Sequence, residues 1–199
     1  MPTAADPLLL AAARRGDAAA VRDALDRGAR VEARDPELRT ALLLAVLGDH
    51  VAAARELVAA GADVNARDAR HDSPWLATGV TGSVAMMRVL LAAEQGPDLT
   101  LRNRFGGISV IPAAERGHVA YVQAVLQETA IDVDHVNDLG WTALLEAVIL
   151  GDGGRAHQKV VALLLAAGAD RELPDRDGVT ALAHAERRGF AELAALLRG

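Results

Sequence analysis

Two kinds of apolar pattern alternate along the chain. Short apolar runs, such as Thr40-Ala41-Leu42-Leu43-Leu44-Ala45, give way to segments whose apolar residues fall three and four apart. Val21/Leu25, Leu57/Val58, Val89/Leu90/Leu91, Val122/Val125/Leu126, Val160/Val161/Leu163/Leu164 and Leu193/Leu196/Leu197 each make one buried stripe on a helix. The short runs begin at Pro7, Thr40, Ser73, Ile108, Thr142 and Thr180, which are 33, 33, 35, 34 and 38 residues apart. Nine residues after each start stand Gly16, Asp49, Gly82, Gly117, Gly151 and Gly189. A phase kept over the whole chain marks a repeat array, in which each unit buries its apolar face only against its neighbours.

The spacing predicts a helix–turn–helix in each unit. Thr or Ser at a run start offers a hydroxyl to the free amides of a first helix, and Ser73-Pro74 adds proline at the first helical position, where no N–H is needed. The in-phase Gly ends that helix in a left-handed residue, and Asp49 is among the few side chains that tolerate the same conformation. Gly28-Ala29, Gly61-Ala62 and Gly168-Ala169 end second helices. Polar turns follow at Asp35-Pro36-Glu37-Leu38, Asp68-Ala69-Arg70-His71, Asn103-Arg104-Phe105-Gly106, Asn137-Asp138-Leu139-Gly140 and Asp175-Arg176-Asp177-Gly178.

The period, the helix pair and the turn together resemble the ankyrin repeat, as do the runs Gly61-Ala62-Asp63-Val64-Asn65-Ala66-Arg67-Asp68, Ala113-Ala114-Glu115-Arg116-Gly117-His118 and Gly140-Trp141-Thr142-Ala143-Leu144. The resemblance covers about residues 5 to 199. It implies an all-α ankyrin-repeat solenoid of stacked helix-turn-helix units with β-turn or hairpin-like tips. The whole chain, 1–199, is expected to be one domain of six units: about 5–35, 36–68, 69–103, 104–137, 138–175 and 176–199. Asn103 through Gly189 is also similar to a recurrent bacterial type of ankyrin protein, a looser likeness that carries no activity. Extra residues interrupt the phase near Glu94-Gln95-Gly96-Pro97, near Thr129-Ala130-Ile131-Asp132 and in Asp152-Gly153-Gly154-Arg155-Ala156-His157. The last insertion is expected to be a flexible hinge bulging from the array.

Composition narrows the function. Aromatic residues make up only 3% of the chain, which leaves thin cores of Ala and Leu. A net charge of −6 argues against gripping nucleic-acid phosphates or anionic membranes. With no cysteine there is no disulfide scaffold, thiolate metal site or Cys nucleophile. Val160 to Ala169 is about half a membrane span, and the start Met1-Pro2-Thr3-Ala4-Ala5-Asp6 has no basic leader region, so a cytoplasmic protein is expected.

No catalytic constellation stands out. Ser73, Ser83 and Ser109 lie at helix starts outside any Gly-x-Ser-x-Gly setting. His50, His71, His118, His135, His157 and His184 lack a metal-binding i,i+4 pairing, so no metal and no cofactor is expected. Gly151-Asp152-Gly153-Gly154 with Lys159 lacks the adjacent Lys-Ser/Thr of a phosphate loop.

In an ankyrin stack, the resemblance implies, partners meet the turn tips and the exposed side of the first helices, a concave face. The positions mapped there include Leu47, Val80, Arg104, Phe105, Glu115, Arg116, Trp141, Ile149 and Leu150. Apolar Trp141, Ile149 and Leu150 would centre a groove bordered by Arg116, Glu146, Asp152 and Arg155, since Trp and Arg are favoured anchors. The insertion folding back over Trp141 and Leu150 as a local core is an equal alternative. The expected function is a non-enzymatic scaffold for a protein or peptide, monomeric or weakly homo-oligomeric. Self-association, or a small-molecule or hydrolytic site under the insertion using Glu146, Asp152 and His157, are the other readings.

Overall fold

The computed structural model describes residues 3–199; Met1 and Pro2, part of the stretch read for a leader, lie outside the described residues. Twelve helices occur among the described residues, in six pairs, and the only ladder contact is an isolated bridge between Arg34 and Thr40. The helices fall into two compact units that meet in sequence at Asn103 and Arg104.

The first unit holds α1 (Asp6–Arg15), α2 (Ala18–Asp26), α3 (Ala41–Leu47), α4 (Val51–Ala59), α5 (Pro74–Thr81) and α6 (Val84–Leu91). There α1, α3 and α5 pack in one layer and α2, α4 and α6 in a second. The second unit holds α7 (Val110–Glu115), α8 (Val119–Glu128), α9 (Ala143–Ile149), α10 (Arg155–Ala166), α11 (Ala181–Arg187) and α12 (Ala191–Arg198). It repeats the arrangement, with α9 between α7 and α11, and α10 between α8 and α12. A helix flanked on both sides and backed by a partner buries nearly its whole circumference. That is why Ala41 through Val46 are all buried and only Leu47, at the end, emerges.

The hydroxyls of Thr40, Ser73, Thr142 and Thr180 accept from the amides three residues on, as the cap reading requires. Ser109 departs from this role. It stands at the start of α7 in helical conformation, and its buried Oγ finds no partner among the described residues. Gly16, Gly82, Gly117 and Gly189 are left-handed, as is Asp49 at φ 52. Gly151 is not; between the two helices of that repeat the left-handed residue is Gly153, at φ 72. Gly151 is needed for space instead, because a Cβ there would stand 2.1 Å from the Ala147 carbonyl oxygen and 2.5 Å from the His157 ring.

The 152–157 insertion is tied down, contrary to the flexible hinge expected of it. His157 Nδ1 lies 2.8 Å from Asp152 Oδ1, and its Nε2 lies 2.9 Å from the carbonyl oxygen of Glu115. His50 makes the same kind of reach, with Nε2 3.1 Å from the Arg14 carbonyl oxygen. Arg14 and Glu115 each stand seven residues after a run start, so the five extra residues return His157 to the place His50 holds. Gln158 Nε2 donates to Gly153 O at 2.9 Å, and the rest of the insertion adds a turn to α10. In the fourth repeat, where no terminating glycine stands, Thr129 Oγ1 donates to Val125 O at 2.6 Å and closes α8.

On α10 the core side is Val160, Val161 and Leu164; Leu163, expected in the same stripe, is only half-buried. Leu164→Ala is expected to lower unfolding free energy by about 2–5 kcal/mol through a cavity, and Leu163→Ala by clearly less. Denaturant titration checks the order; equal losses would mean the face of α10 is assigned wrongly.

Candidate interaction surface

Four of the tips are each built around one acidic or amide side chain. Asp35 Oδ1 accepts from the amides of Glu37 and Arg39, and Asp68 Oδ1 from those of Arg70 and Asp72. Asn137 Oδ1 accepts from Leu139 and Trp141, and Asp175 Oδ1 from Asp177 and Val179. In all four the amide of the Asp or Asn also donates to the carbonyl four residues on, closing a small loop. The amides that a turn would leave open are satisfied within the turn itself.

The other polar atom of the same side chain reaches the following helix. Asp175 Oδ2 lies 2.7 Å from His184 Nε2, while Asn137 Nδ2 donates to Glu146 Oε1 at 2.8 Å. Both pairs are nine residues apart, with donor and acceptor exchanged between them. Asp35 Oδ2 instead takes Arg14 and Arg39 guanidinium groups at 3.1 and 2.7 Å. The Val179 amide, then His184, holds the Asp175 carboxyl below its ordinary range. For Asp35, burial works the other way, and the Arg39 hydrogen bonds outweigh it, so that carboxyl too is lowered.

Glu146 was expected on the rim of a groove. Its place is instead inside, buried on α9 and bonded to Asn137, where no partner reaches it. Burial raises its pKa from 4.5 to about 7, the Glu115 carboxylate adds to the rise, and the Asn137 hydrogen bond opposes it. Glu146, Asp152 and His157 do not converge as a catalytic set would. Glu146 is occupied by Asn137, and both ring nitrogens of His157 are taken, by Asp152 and by the Glu115 carbonyl. Among the described residues no group of three His, Cys, Asp or Glu could hold a metal ion.

The remaining expected residues sit at surfaces. In the first unit, Leu47 and Val80 end adjacent helices α3 and α5 and are 47% and 39% exposed. In the second unit, Arg104 lies over the Phe105 ring at 4.5 Å, and Phe105 is 50% exposed. Glu115, Trp141 and Ile149 are half-buried, while Arg116, Asp152 and Arg155 are exposed. Leu150 is 49% exposed, so the insertion does not bury it. Leu139, not singled out from its turn, is 47% exposed. It stands two residues after Asn137 as Phe105 stands two after Asn103, and that shared phase was the available signal. The Asp138 amide donates to Phe105 O at 2.8 Å, which sets the two tips side by side.

Residues 75–175 match the family model described as ankyrin repeats in three copies, and residues 37–69 match that of the single ankyrin repeat. The ankyrin repeat protein YahD of Escherichia coli (strain K12) is 40% identical over 188 residues, covering 94% of this chain and 92% of its own. The crystal structure of an ankyrin repeat domain from Acinetobacter baumannii AYE is 46% identical with a TM-score of 0.89, covering 96% of this chain and 95% of its own. The crystal structure of EF0377, an ankyrin repeat protein, is 37% identical with a TM-score of 0.92, and 97% of each chain is covered. No helix among the described residues is long and apolar enough to cross a membrane.

The raised pKa of Glu146 carries a sign. Between about pH 4.5 and 7 the unfolded chain loses a proton that the folded chain keeps, so this residue lowers stability as pH rises through that window. Glu146→Gln keeps an acceptor for Asn137 and removes the titration. It is expected to stabilise by roughly 1–3 kcal/mol above pH 7, with the gain gone below about pH 4.5. Chemical denaturation at both pH values checks this, and an equal gain at both would mean that Glu146 does not titrate on folding. A second variant pair tests the exchanged donor and acceptor. Well above pH 7, where Glu146 is ionised, Asn137→Asp is expected to cost about 1–3 kcal/mol by setting an acceptor against an acceptor. Adding Glu146→His should restore most of it, as in the Asp175–His184 pair; no recovery in the melting curve would contradict the pairing.

Proposed function

The chain belongs to the ankyrin repeat family, and we propose that it is a non-enzymatic module that binds a protein or peptide through the tips of its second unit and the ends of α7, α9 and α11. Ankyrin repeats are generally protein–protein interaction modules. The observation that carries the reading to these residues is an apolar set left outward on successive repeats: Phe105 and Leu139 on neighbouring tips, and Leu150 at the end of α9. Single exposed apolar residues are ordinary, but a set on adjoining elements is the mark of a contact surface. The backbone beneath it is held by the Asn137 and Asp175 side chains, so binding orders little of the chain and loses little conformational entropy. Half-buried Trp141 lies between the tip and α9 and supplies a large amphipathic ring. Leu47 and Val80 give the first unit a smaller apolar pair of its own.

Panning a random peptide phage library against the immobilised protein tests this. The wild type is expected to enrich related sequences, and a Leu139→Asp/Leu150→Asp variant with an unchanged melting temperature to enrich none of them. An unselected pool from the wild type would contradict the reading, as would the same clones bound equally by both proteins.

A further inference from the structure

The second unit is acidic overall, with nine Lys or Arg against thirteen Asp or Glu in residues 104–199, yet the C-terminal ends of α7, α9 and α11 are not. Arg116 and Arg155 come from different repeats and are brought together there. The link from His157 Nε2 to Glu115 O lays residues 155–157 against the end of α7, and a Cβ on Gly117 would stand 3.2 Å from that of Ala156. Both arginines are exposed, and neither has a carboxylate partner among the described residues. On the other side of α9, Arg188 donates to the carbonyls of Val148 and Ile149 and lies 4.5 Å from the Phe190 ring centre, keeping its charge beside Leu150. Arg187 occupies on α11 the place that Ile149 has on α9, each seven residues after the capping Thr.

Two carboxylates share this edge. Asp152 is exposed but engaged by the Gly154 amide and by His157, both at 2.8 Å, which hold its carboxyl below the usual range. Glu115 is half-buried and near enough to Glu146 to oppose its ionisation. Arg116 and Arg188 hold, in the repeats on either side, the place that Leu150 has, each eight residues after its run start, and Arg155 belongs to the segment laid against the end of α7, in a unit of opposite net sign. Arginines that their own chain leaves unpaired, beside apolar surface, complement a ligand that is both apolar and anionic.

We propose that this edge binds an acidic peptide segment, one that lays an aliphatic or aromatic side chain on Leu150 while flanking Asp or Glu carboxylates pair with Arg116 and Arg155. The proposal rests on the reading of the chain as a peptide- or protein-binding module and adds the chemistry of the partner. Arg rather than Lys at both places suits carboxylates, because the planar fork takes two oxygens at once.

The phage-selected peptides decide it, once synthesised and titrated by fluorescence anisotropy. The expected result is enrichment of Asp or Glu next to Leu, Ile, Phe or Trp. Arg116→Glu/Arg155→Glu, with its fold checked by circular dichroism, should weaken the acidic peptides by about tenfold or more and turn selection toward Lys and Arg. The difference between the two proteins should shrink near 1 M salt, where the screening length falls to about 3 Å. Winners without excess carboxylate, or affinities indifferent to the charge reversal, would overturn this inference and leave the binding module standing. No enrichment by the wild type would overturn both. A dimer in sedimentation that the charge reversal dissociates would assign the edge to a second copy of the chain and overturn the peptide proposal.

Discussion

At four of the tips an oxygen of one Asp or Asn side chain accepts two backbone amides at once, and the rest of the structure depends on that contact. A turn that projects beyond its helices cannot bond its amides to a sheet, and a covered amide without an acceptor costs about 1–3 kcal/mol. Asp35, Asp68, Asn137 and Asp175 answer that need from inside the turn. In Asp35, Asn137 and Asp175 the atom left over ties the tip to a helix, and its chemistry dictates the partner. A carboxylate needs a donor, so Asp175 meets His184 and Asp35 meets Arg14; an amide Nδ2 needs an acceptor, so Asn137 meets Glu146. A buried glutamate that looks misplaced on an apolar helix is thereby explained.

Fixing the tips from within frees their outward side chains. Leu139 and Phe105 are about half exposed, and the backbone that carries them is bonded, the Leu139 amide to Asn137 Oδ1 and the Phe105 carbonyl to the Asp138 amide. The same separation holds at the helix ends. His157 and Arg188 use backbone carbonyls of the preceding repeat to anchor the insertion and α11, while Leu150 stays in solvent between them. Stability resides in Ala and Leu pressed between helices and in side chains bonded to backbone. The apolar side chains proposed for recognition, Leu139 and Leu150, belong to neither network.

The repeat was legible because it is periodic. Caps at Thr40, Ser73, Thr142 and Thr180, and left-handed residues at Gly16, Asp49, Gly82, Gly117 and Gly189, follow from spacing and backbone chemistry alone. Legibility failed where one repeat departs from the others. Gly151 keeps the phase but is a clearance for the Ala147 carbonyl and the His157 ring, and the left-handed turn moves to Gly153. A glycine's two uses look the same in a sequence. The insertion read as a hinge because Gly153 and Gly154 stand together in it, while the bond that fixes it runs to Glu115, some forty residues away. Glu146 was placed on a rim because carboxylates are ordinarily solvated. Only its nine-residue spacing from Asn137, shared with His184 and Asp175, could have turned it inward.

Amide hydrogen exchange on the free protein, resolved by NMR, addresses the claim about the tips most directly. The amides of Arg39, Asp72, Trp141 and Val179 sit in turns at the protein's edge, where exchange is ordinarily fast. The account predicts protection close to that of the helix amides behind them, lost only with unfolding of the repeat. Exchange at the rate of an unstructured peptide would contradict it, because the surface would then rest on turns that open freely.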